Sequence, residues 1–181
     1  NKYYKKYNIT PNILTTFSLI TTVIGLYLYD KSLSKKKIKN YLIPIIGILL
    51  IFVGYYFDCA DGNMARTYKM TTKFGDLYDH LSDIFKTILL FYVIYKHGGR
   101  NKCTYIAIVL FLIFMSIMHL SCQELLYKKG KDESPMLNLI NTCPNFTESP
   151  QQTAKITRYF GVGFLNLVVC LILLYILLKR K

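Results

Sequence analysis

The sequence has 181 residues, 52% of them hydrophobic, and carries 23 Lys and Arg against 10 Asp and Glu, a formal net charge of +13. Four uncharged stretches, at 7–29, 40–57, 103–123 and 159–178, each approach the roughly 20 residues that cross a membrane core as a helix. A water-soluble domain does not need four such stretches. The composition therefore excludes the soluble classes of protein.

The basic residues cluster at the ends of these apolar stretches and do not form one basic face. The longest cluster follows the first stretch and comprises Lys31, Lys35, Lys36, Lys37 and Lys39. Lysines at such positions contact anionic lipid headgroups. We therefore expect membrane lipids as partners, and we expect no nucleic-acid binding.

In chain order, the basic and aromatic segment 1–10 is predicted to lie at the membrane interface, followed by a membrane domain over 11–178. Pro11 suits the first position of a helix, with Thr10 as its N-cap. The predicted spans are 11–29, 40–62, 74–95, 103–122 and 156–178, and a polar loop occupies 124–155. Charged residues in the first half of the third predicted span lower its mean hydropathy, so hydropathy alone would not identify it as a span. The predicted fold is an all-α, polytopic integral membrane helical bundle with five spans, and a sixth span stays open.

Five cysteines are present: Cys59, Cys103, Cys122, Cys143 and Cys170. They show neither a Cys-x-x-Cys pair nor zinc-type spacing with histidine. Because the count is odd and most of them lie inside apolar stretches, the sequence predicts buried free thiols.

Acidic residues are concentrated in one short region, which holds five of the ten. Asp58, Asp61, Gly62 and Ala65 recur with the spacing of one helical face, and the same spacing recurs in Asp76, Asp79, His80 and Asp83. Two antiparallel helices joined by residues 66–74 would bring these faces together. Four carboxylates, those of Asp58, Asp61, Asp79 and Asp83, would then converge at the membrane boundary.

Converging carboxylates repel one another, and divalent cations remove that repulsion. Oxygen ligands without Cys or His favour Mg²⁺ or Mn²⁺ over zinc. Gly62 and Ala65 leave an open surface for a phosphorylated ligand, and Arg66 can bond to phosphate oxygens. The pattern predicts a site for two metal ions that clamps a pyrophosphate during phosphoryl transfer.

These residues also resemble a known signature. Asp58-x2-Asp61-Gly62-x2-Ala65-Arg66-x8-Gly75-x3-Asp79-x3-Asp83 is similar, without departure, to the motif of the CDP-alcohol phosphotransferase (phosphatidyltransferase) family. The resemblance implies that Asp58, Asp61 and Asp79 hold the metals and that Asp83 is both a ligand and the general base. The residues it implies for donor binding are Asn12, Thr15, Gly62, Ala65, Arg66, Thr72 and Gly75.

The reaction implied is transfer of a substituted phosphate group from a CDP-linked donor to an alcohol hydroxyl, with release of CMP, in phospholipid synthesis. Asp76 and His80 match positions of the aminoalcohol branch, where His80 would share the base role, so CDP-choline or CDP-ethanolamine with diacylglycerol is slightly favoured. The other branch joins CDP-diacylglycerol to glycerol phosphate, inositol or serine. Lys86 is a candidate for binding an acceptor phosphate, and Asp76 is a candidate for contacting the acceptor.

CDP-linked donors imply an active site that faces the cytosol. The loop 124–155 would then lie on the same side, so we expect Asn145 to be unglycosylated. The sequence leaves open whether the protein forms a homodimer. The alternative functions are a polytopic divalent-cation transporter or channel, which would need carboxylates on more spans, and an inactive membrane relative. The fourth and last predicted spans carry no carboxylate.

Overall fold

The computed structural model describes residues 9–35, 41–127, 143 and 150–180. The predicted interfacial segment lies outside these ranges except for its last two residues. Most of the predicted loop 124–155, including Asn145, also lies outside them. Within the described ranges there are six α-helices and no strand: α1 (Pro11–Leu33), α2 (Leu42–Thr67), α3 (Lys73–His97), α4 (Lys102–Tyr127), α5 (Pro150–Thr157) and α6 (Val162–Lys179).

Four helical segments are long and apolar enough to cross a membrane: Pro11–Leu33, Leu42–Thr67, Gly99–Cys122 and Gln151–Lys179. The chain is thus an all-α membrane bundle, as the sequence predicted. The third helix, α3, is less apolar than these four segments because Asp76, Asp79, Asp83 and Lys86 occupy its first half. Its 25 residues extend about 37 Å at about 1.5 Å per residue, which is enough to cross the hydrocarbon core.

Helix α1 packs along α2 at a close crossing of two glycines. A Cβ on Gly25 would lie 2.6 Å from the carbonyl oxygen of Gly47, and a Cβ on Gly47 would lie 2.7 Å from that of Gly25. Small residues at such crossings allow helix backbones to approach closely within a membrane. The crossing fixes how the polar face of α1 meets the acidic end of α2.

Two buried apolar clusters lie at different depths of the bundle. The larger joins α1, α2, α3, α4 and α6 and includes Tyr29, Ile94 and Leu173; the Tyr29 hydroxyl donates to the Leu173 carbonyl oxygen at 2.7 Å. The smaller comprises Leu14, Ala60 and Met64, beside the acidic residues of α2. The larger cluster holds the bundle together, while the smaller one supports the acidic end.

The last predicted span is interrupted near its start. A short 3-10 turn, Arg158–Phe160, follows α5, and Gly161 is extended (φ −64°, ψ 171°) before α6 begins at Val162. The Ser116 hydroxyl of α4 donates to the Phe160 carbonyl oxygen at 2.8 Å, which satisfies part of the backbone at the break. Helix α6 therefore begins at Val162, six residues after the predicted start of this span at 156.

The prediction of five buried free thiols is wrong. Cys122 and Cys143 form a disulfide with a Cα–Cα distance of 4.6 Å. Cys59 and Cys103 are exposed, and Cys170 is half-buried. The prediction failed because Cys143 lies in the polar segment after α4 and returns to the end of that helix, a long-range contact that the apolar pattern does not reveal.

Candidate active site

Three helices supply the polar side chains at one end of the bundle. Helix α2 carries Asp58 and Asp61 in its last turns, and α3 carries Asp79 and Asp83 in its first turns. The Thr72 hydroxyl caps α3 by accepting a hydrogen bond from the Gly75 amide at 2.9 Å. The cap starts α3 just after the connection from α2, so the two acidic faces meet.

The structure brings three of the four predicted metal ligands together. Carboxylate oxygens of Asp58, Asp79 and Asp83 all lie within 4.8 Å of one another. Asp83 is the most open of the set, with its side chain 51% exposed, against 21% for Asp58. A small cation can thus touch all three, while Asp83 stays accessible from outside.

Asp79 carries the strongest sign of an unmet interaction. Its Oδ1 is buried, and it is the only such side-chain oxygen or nitrogen without a hydrogen-bond partner in the part of the chain that the structure describes. Native proteins rarely leave a buried polar atom unpaired without a functional reason. The chemistry of three carboxylates and this orphaned oxygen fits a hard divalent ion such as Mg²⁺ or Mn²⁺.

Asp61 lies outside the group of three and is held by α1. It is 3% exposed, and the Thr15 hydroxyl donates to its Oδ2 at 2.5 Å. Thr15, predicted to bind the donor, thus contacts a predicted metal ligand directly. No motif in the sequence predicted this bond between α1 and the acidic residues.

Two further residues complete the cluster. Lys86 donates to Asp58 Oδ1 at 2.6 Å and lies 2.7 Å from Asp83 Oδ1. Ser18 donates to Asp58 Oδ1 at 3.2 Å and accepts from Lys86 at 3.0 Å. Sequence reasoning missed Ser18, although it lies three residues after Thr15 on the same face of an apolar helix, a signal that could have found it.

The residues predicted to bind the donor lie in two groups. The Arg66 guanidinium covers Gly62, where a Cβ would come 3.2 Å from one of its nitrogens. A Cβ on Gly75 would come 2.8 Å from Asn12 Oδ1 and 3.0 Å from the Thr72 hydroxyl. The first group offers an exposed cation, and the second is a close contact between the start of α1 and the start of α3.

Ala65 lies half-buried on α2, one turn from Asp61. Beside the second group, the hydroxyls of Thr16 and Tyr78 lie 3.0 Å apart. Together these contacts tie the beginning of α1 to both acidic helices.

His80 and Asp76 lie on α3 beside the carboxylates. The His80 Nδ1 is 2.7 Å from the Asp76 backbone oxygen and 3.7 Å from its carboxylate Oδ1. In the neutral ring, donation through Nδ1 leaves Nε2 as the atom that accepts a proton. His80 is one-third exposed, so this nitrogen is within reach of a ligand.

The sequence profile of the CDP-alcohol phosphatidyltransferase family matches residues 8–178. The chain belongs to that family. Its members generally use divalent metal ions, which agrees with the carboxylate chemistry of the site.

Curated relatives match over parts of the chain. An uncharacterized protein of Aquifex aeolicus is 31% identical over 96 residues, covering 52% of this chain and 43% of that protein. Human Ethanolaminephosphotransferase 1 is 25% identical over 118 residues, covering 61% of this chain and 30% of that enzyme, and the mouse enzyme of the same name is also 25% identical. The chain therefore matches less than half the length of these relatives. No solved structure matches it significantly.

Proposed function

We propose that the chain is a metal-dependent CDP-alcohol phosphotransferase of phospholipid synthesis. It would transfer a substituted phosphate group from a CDP-linked donor to an alcohol hydroxyl and release CMP. Family membership supports this reaction class. The observation that carries the proposal is the group of Asp58, Asp79 and Asp83 oxygens within 4.8 Å, one of whose members has a buried oxygen without a partner.

Asp58, Asp79 and Asp83 would hold one divalent ion, and Asp61, which is three residues after Asp58 on α2 and is bonded to Thr15, would take part with a second. The bound metal would neutralise negative charge on the pyrophosphate and on the departing CMP. Arg66, exposed above Gly62, would bind phosphate oxygens through charge-assisted hydrogen bonds. The second group, Asn12, Thr72 and Gly75, would border the nucleotide.

Asp83 is the residue we assign as general base, because its half-exposed carboxylate can be reached by an acceptor hydroxyl. It would accept the hydroxyl proton as the oxygen attacks phosphorus and the bond to CMP breaks. The proton-accepting Nε2 of His80, one turn earlier on α3, would share this role. Asp76, which holds the His80 ring through its backbone oxygen, would orient that histidine.

For the substrates we propose a CDP-aminoalcohol donor and diacylglycerol. Members of this family that use phosphorylated acceptors often carry an arginine directly after the last motif aspartate, whereas Ile84 follows Asp83 here. Together with His80 directly after Asp79, this favours an acceptor without a phosphate. The name of the human relative reports transfer of phosphoethanolamine, in agreement with this choice. The competing pair is CDP-diacylglycerol with a small alcohol.

The test uses the full chain in lipid nanodiscs with Mg²⁺ or Mn²⁺. CDP-ethanolamine, CDP-choline and CDP-diacylglycerol are each supplied with a matching acceptor, and CMP and lipid product are measured. We expect CMP release with an aminoalcohol donor, and its loss on Asp83→Asn. If no pair releases CMP while divalent ions cross proteoliposomes containing the chain, the transporter replaces this proposal.

We propose further that this end of the bundle faces the cytosol, where CDP-linked donors are available. The Cys122–Cys143 disulfide raises a direct challenge to that orientation. Helices α3 and α4 are joined by a short turn at Gly98 and run in opposite directions, so Cys122 near the end of α4 lies at the same end as the carboxylates. Disulfides persist mainly in oxidising compartments.

Two measurements in native membranes decide the orientation. A cytosolic site predicts that Asn145 carries no glycan. It also predicts that Cys122 and Cys143 are reduced in the native membrane, so that both react with a membrane-permeant maleimide without added reductant. A glycan on Asn145 together with thiols that react only after reduction would place the site on the oxidising side and overturn the cytosolic orientation.

A further inference from the structure

Lys86 occupies the centre of the polar interface between α1, α2 and α3. Its side chain is 13% exposed. The ammonium lies 2.6 Å from Asp58 Oδ1, 2.7 Å from Asp83 Oδ1 and 3.0 Å from the Ser18 hydroxyl. A lysine ammonium has three N–H donors, and these three acceptors match that number. Lys86 is therefore fully bonded inside the site and has no donor left for an acceptor phosphate.

The ammonium contacts two of the three carboxylates that form the candidate metal site. Asp58 and Asp83 bond to Lys86, while the Oδ1 of Asp79 stays buried without a partner. Three ionised carboxylates beside one ammonium leave two negative charges. The cluster can thus still attract a divalent cation, but that cation meets two ligands already bonded to a positive charge.

Resting on the proposed function, we infer that Lys86 is a positioning residue that acts as an internal counter-cation of the metal site. Without metal, it holds Asp58 and Asp83 together against their mutual repulsion. When a divalent ion binds, the ammonium is displaced from at least one carboxylate. The site is then preassembled, and its metal affinity is lower than that of the same carboxylates without the lysine.

The positions of the charges indicate that the Lys86 ammonium and a divalent ion compete for the same carboxylates. A divalent ion placed among these oxygens would lie within a few ångströms of the ammonium, where two like charges repel strongly in a partly buried site. Lysine stems are flexible, so the head group can withdraw toward the membrane boundary. Ser18, which is uncharged, can keep one bond to the displaced ammonium or donate to Asp58 alone.

The main test compares Lys86→Met with Lys96→Met on the full chain in nanodiscs. Lys96 lies on the same helix and also contacts an aspartate, Asp30, at the opposite end of α3. We expect Lys86→Met to bind Mn²⁺ at least about tenfold more tightly than the native chain, by electron paramagnetic resonance or calorimetry. We also expect a lower thermal midpoint without metal and recovery with saturating Mn²⁺. Lys96→Met should leave Mn²⁺ affinity unchanged.

A measurement on the native chain keeps the inference testable if Lys86→Met does not fold. Acylation of Lys86, followed by mass spectrometry, should be slow without metal and should increase several-fold when Mn²⁺ is added, while acylation of Lys96 stays constant. The inference is overturned if Lys86→Met binds Mn²⁺ equally or more weakly, or if Mn²⁺ leaves the acylation of Lys86 unchanged. Absence of Mn²⁺ binding in both proteins would overturn the metal site itself, and this inference with it.

Discussion

The two ends of the bundle contain the same kinds of side chain in opposite balance. At one end, Asp30 of α1 bonds to Lys96 at 2.8 Å and to His97 at 2.7 Å, both on α3. Arg180, after α6, lies 3.1 Å from the other ring nitrogen of His97. At the other end, Lys86 bonds to Asp58 and Asp83, while the third carboxylate, Asp79, keeps a buried oxygen without a partner. The first cluster pairs its one acid with several donors, whereas the second retains negative charge and an unpaired oxygen.

We infer from this difference which of the two polar clusters binds a ligand. Both clusters connect α1 to α3, and both contain a lysine on α3 bonded to an aspartate on another helix. Because the one acid of the Asp30 cluster is bonded to both Lys96 and His97, this cluster serves as a structural contact that ties helix ends together. At the Asp79 cluster the fold holds three acids together despite their repulsion, which supports the proposal that this cluster binds a cation.

The greatest loss of activity is expected when one of the three clustered carboxylates is neutralised. Asp79→Asn should lower the rate of CMP release at least about 100-fold, since it removes charge from the proposed site. The same change should preserve or raise the thermal midpoint without metal, because it relieves repulsion among the carboxylates. The matched variant Asp30→Asn should do the reverse: near-native activity and a free energy of unfolding lower by about 1 kcal/mol.

Activity assays and thermal unfolding of both variants check this pair. A stable, active Asp79→Asn protein would mean that the charge excess has no functional use. An inactive Asp30→Asn protein that keeps its thermal midpoint would show that the opposite end is not merely structural.

Metal addition should affect only one end. Mn²⁺ at about 100 times its dissociation constant should stabilise the native chain by about 2.7 kcal/mol, since it binds the folded state alone. Asp79→Asn should lose this gain, while Asp30→Asn should keep it. Chelation should return the native chain to its metal-free thermal midpoint. Equal stabilisation of both variants would place the ion outside the carboxylate cluster.

The sequence was sufficient for the helices and for the acidic faces but not for the contacts between distant segments. Asp58 and Asp79 could be placed on facing helices because helical spacing is local and repeats within each segment. The shared face of Thr15 and Ser18 is a local signal, but the bonds of these residues to Asp61 and Asp58 depend on how α1 crosses α2 at Gly25 and Gly47, which no local pattern encodes.

Lys86 and the cysteines show the same limit. The position of Lys86 on α3 was evident, but its partner Asp58 lies on another helix, so the sequence left it as a candidate for binding an acceptor phosphate. The pairing of Cys122 with Cys143 depends on how the segment after α4 returns to that helix. Such pairings become visible only when the packing is known.

A smaller effect is expected from the hydroxyl that α1 contributes to the site. Thr15→Val removes the donor to the buried Asp61 carboxylate and should cost about 1–2 kcal/mol of stability in the metal-free protein. Activity should fall about tenfold if the transition state is destabilised by a similar free energy. Thr21→Val is the control, because the Thr21 hydroxyl bonds only to carbonyl oxygens of its own helix. Similar losses in both variants would indicate a general effect on α1.

The smallest effect is expected at Lys96, the lysine of the Asp30 cluster. Lys96 is partly exposed and shares Asp30 with His97, so Lys96→Met removes one of several partners and leaves the carboxylate bonded. Exposed ion pairs contribute little to stability. We therefore expect the thermal midpoint and the activity of Lys96→Met to equal those of the native chain, whereas Lys86→Met should change clearly. A fall comparable to that of Lys86→Met would show that both ends depend on their lysine equally, and the distinction between a closed structural cluster and an open binding cluster would fail.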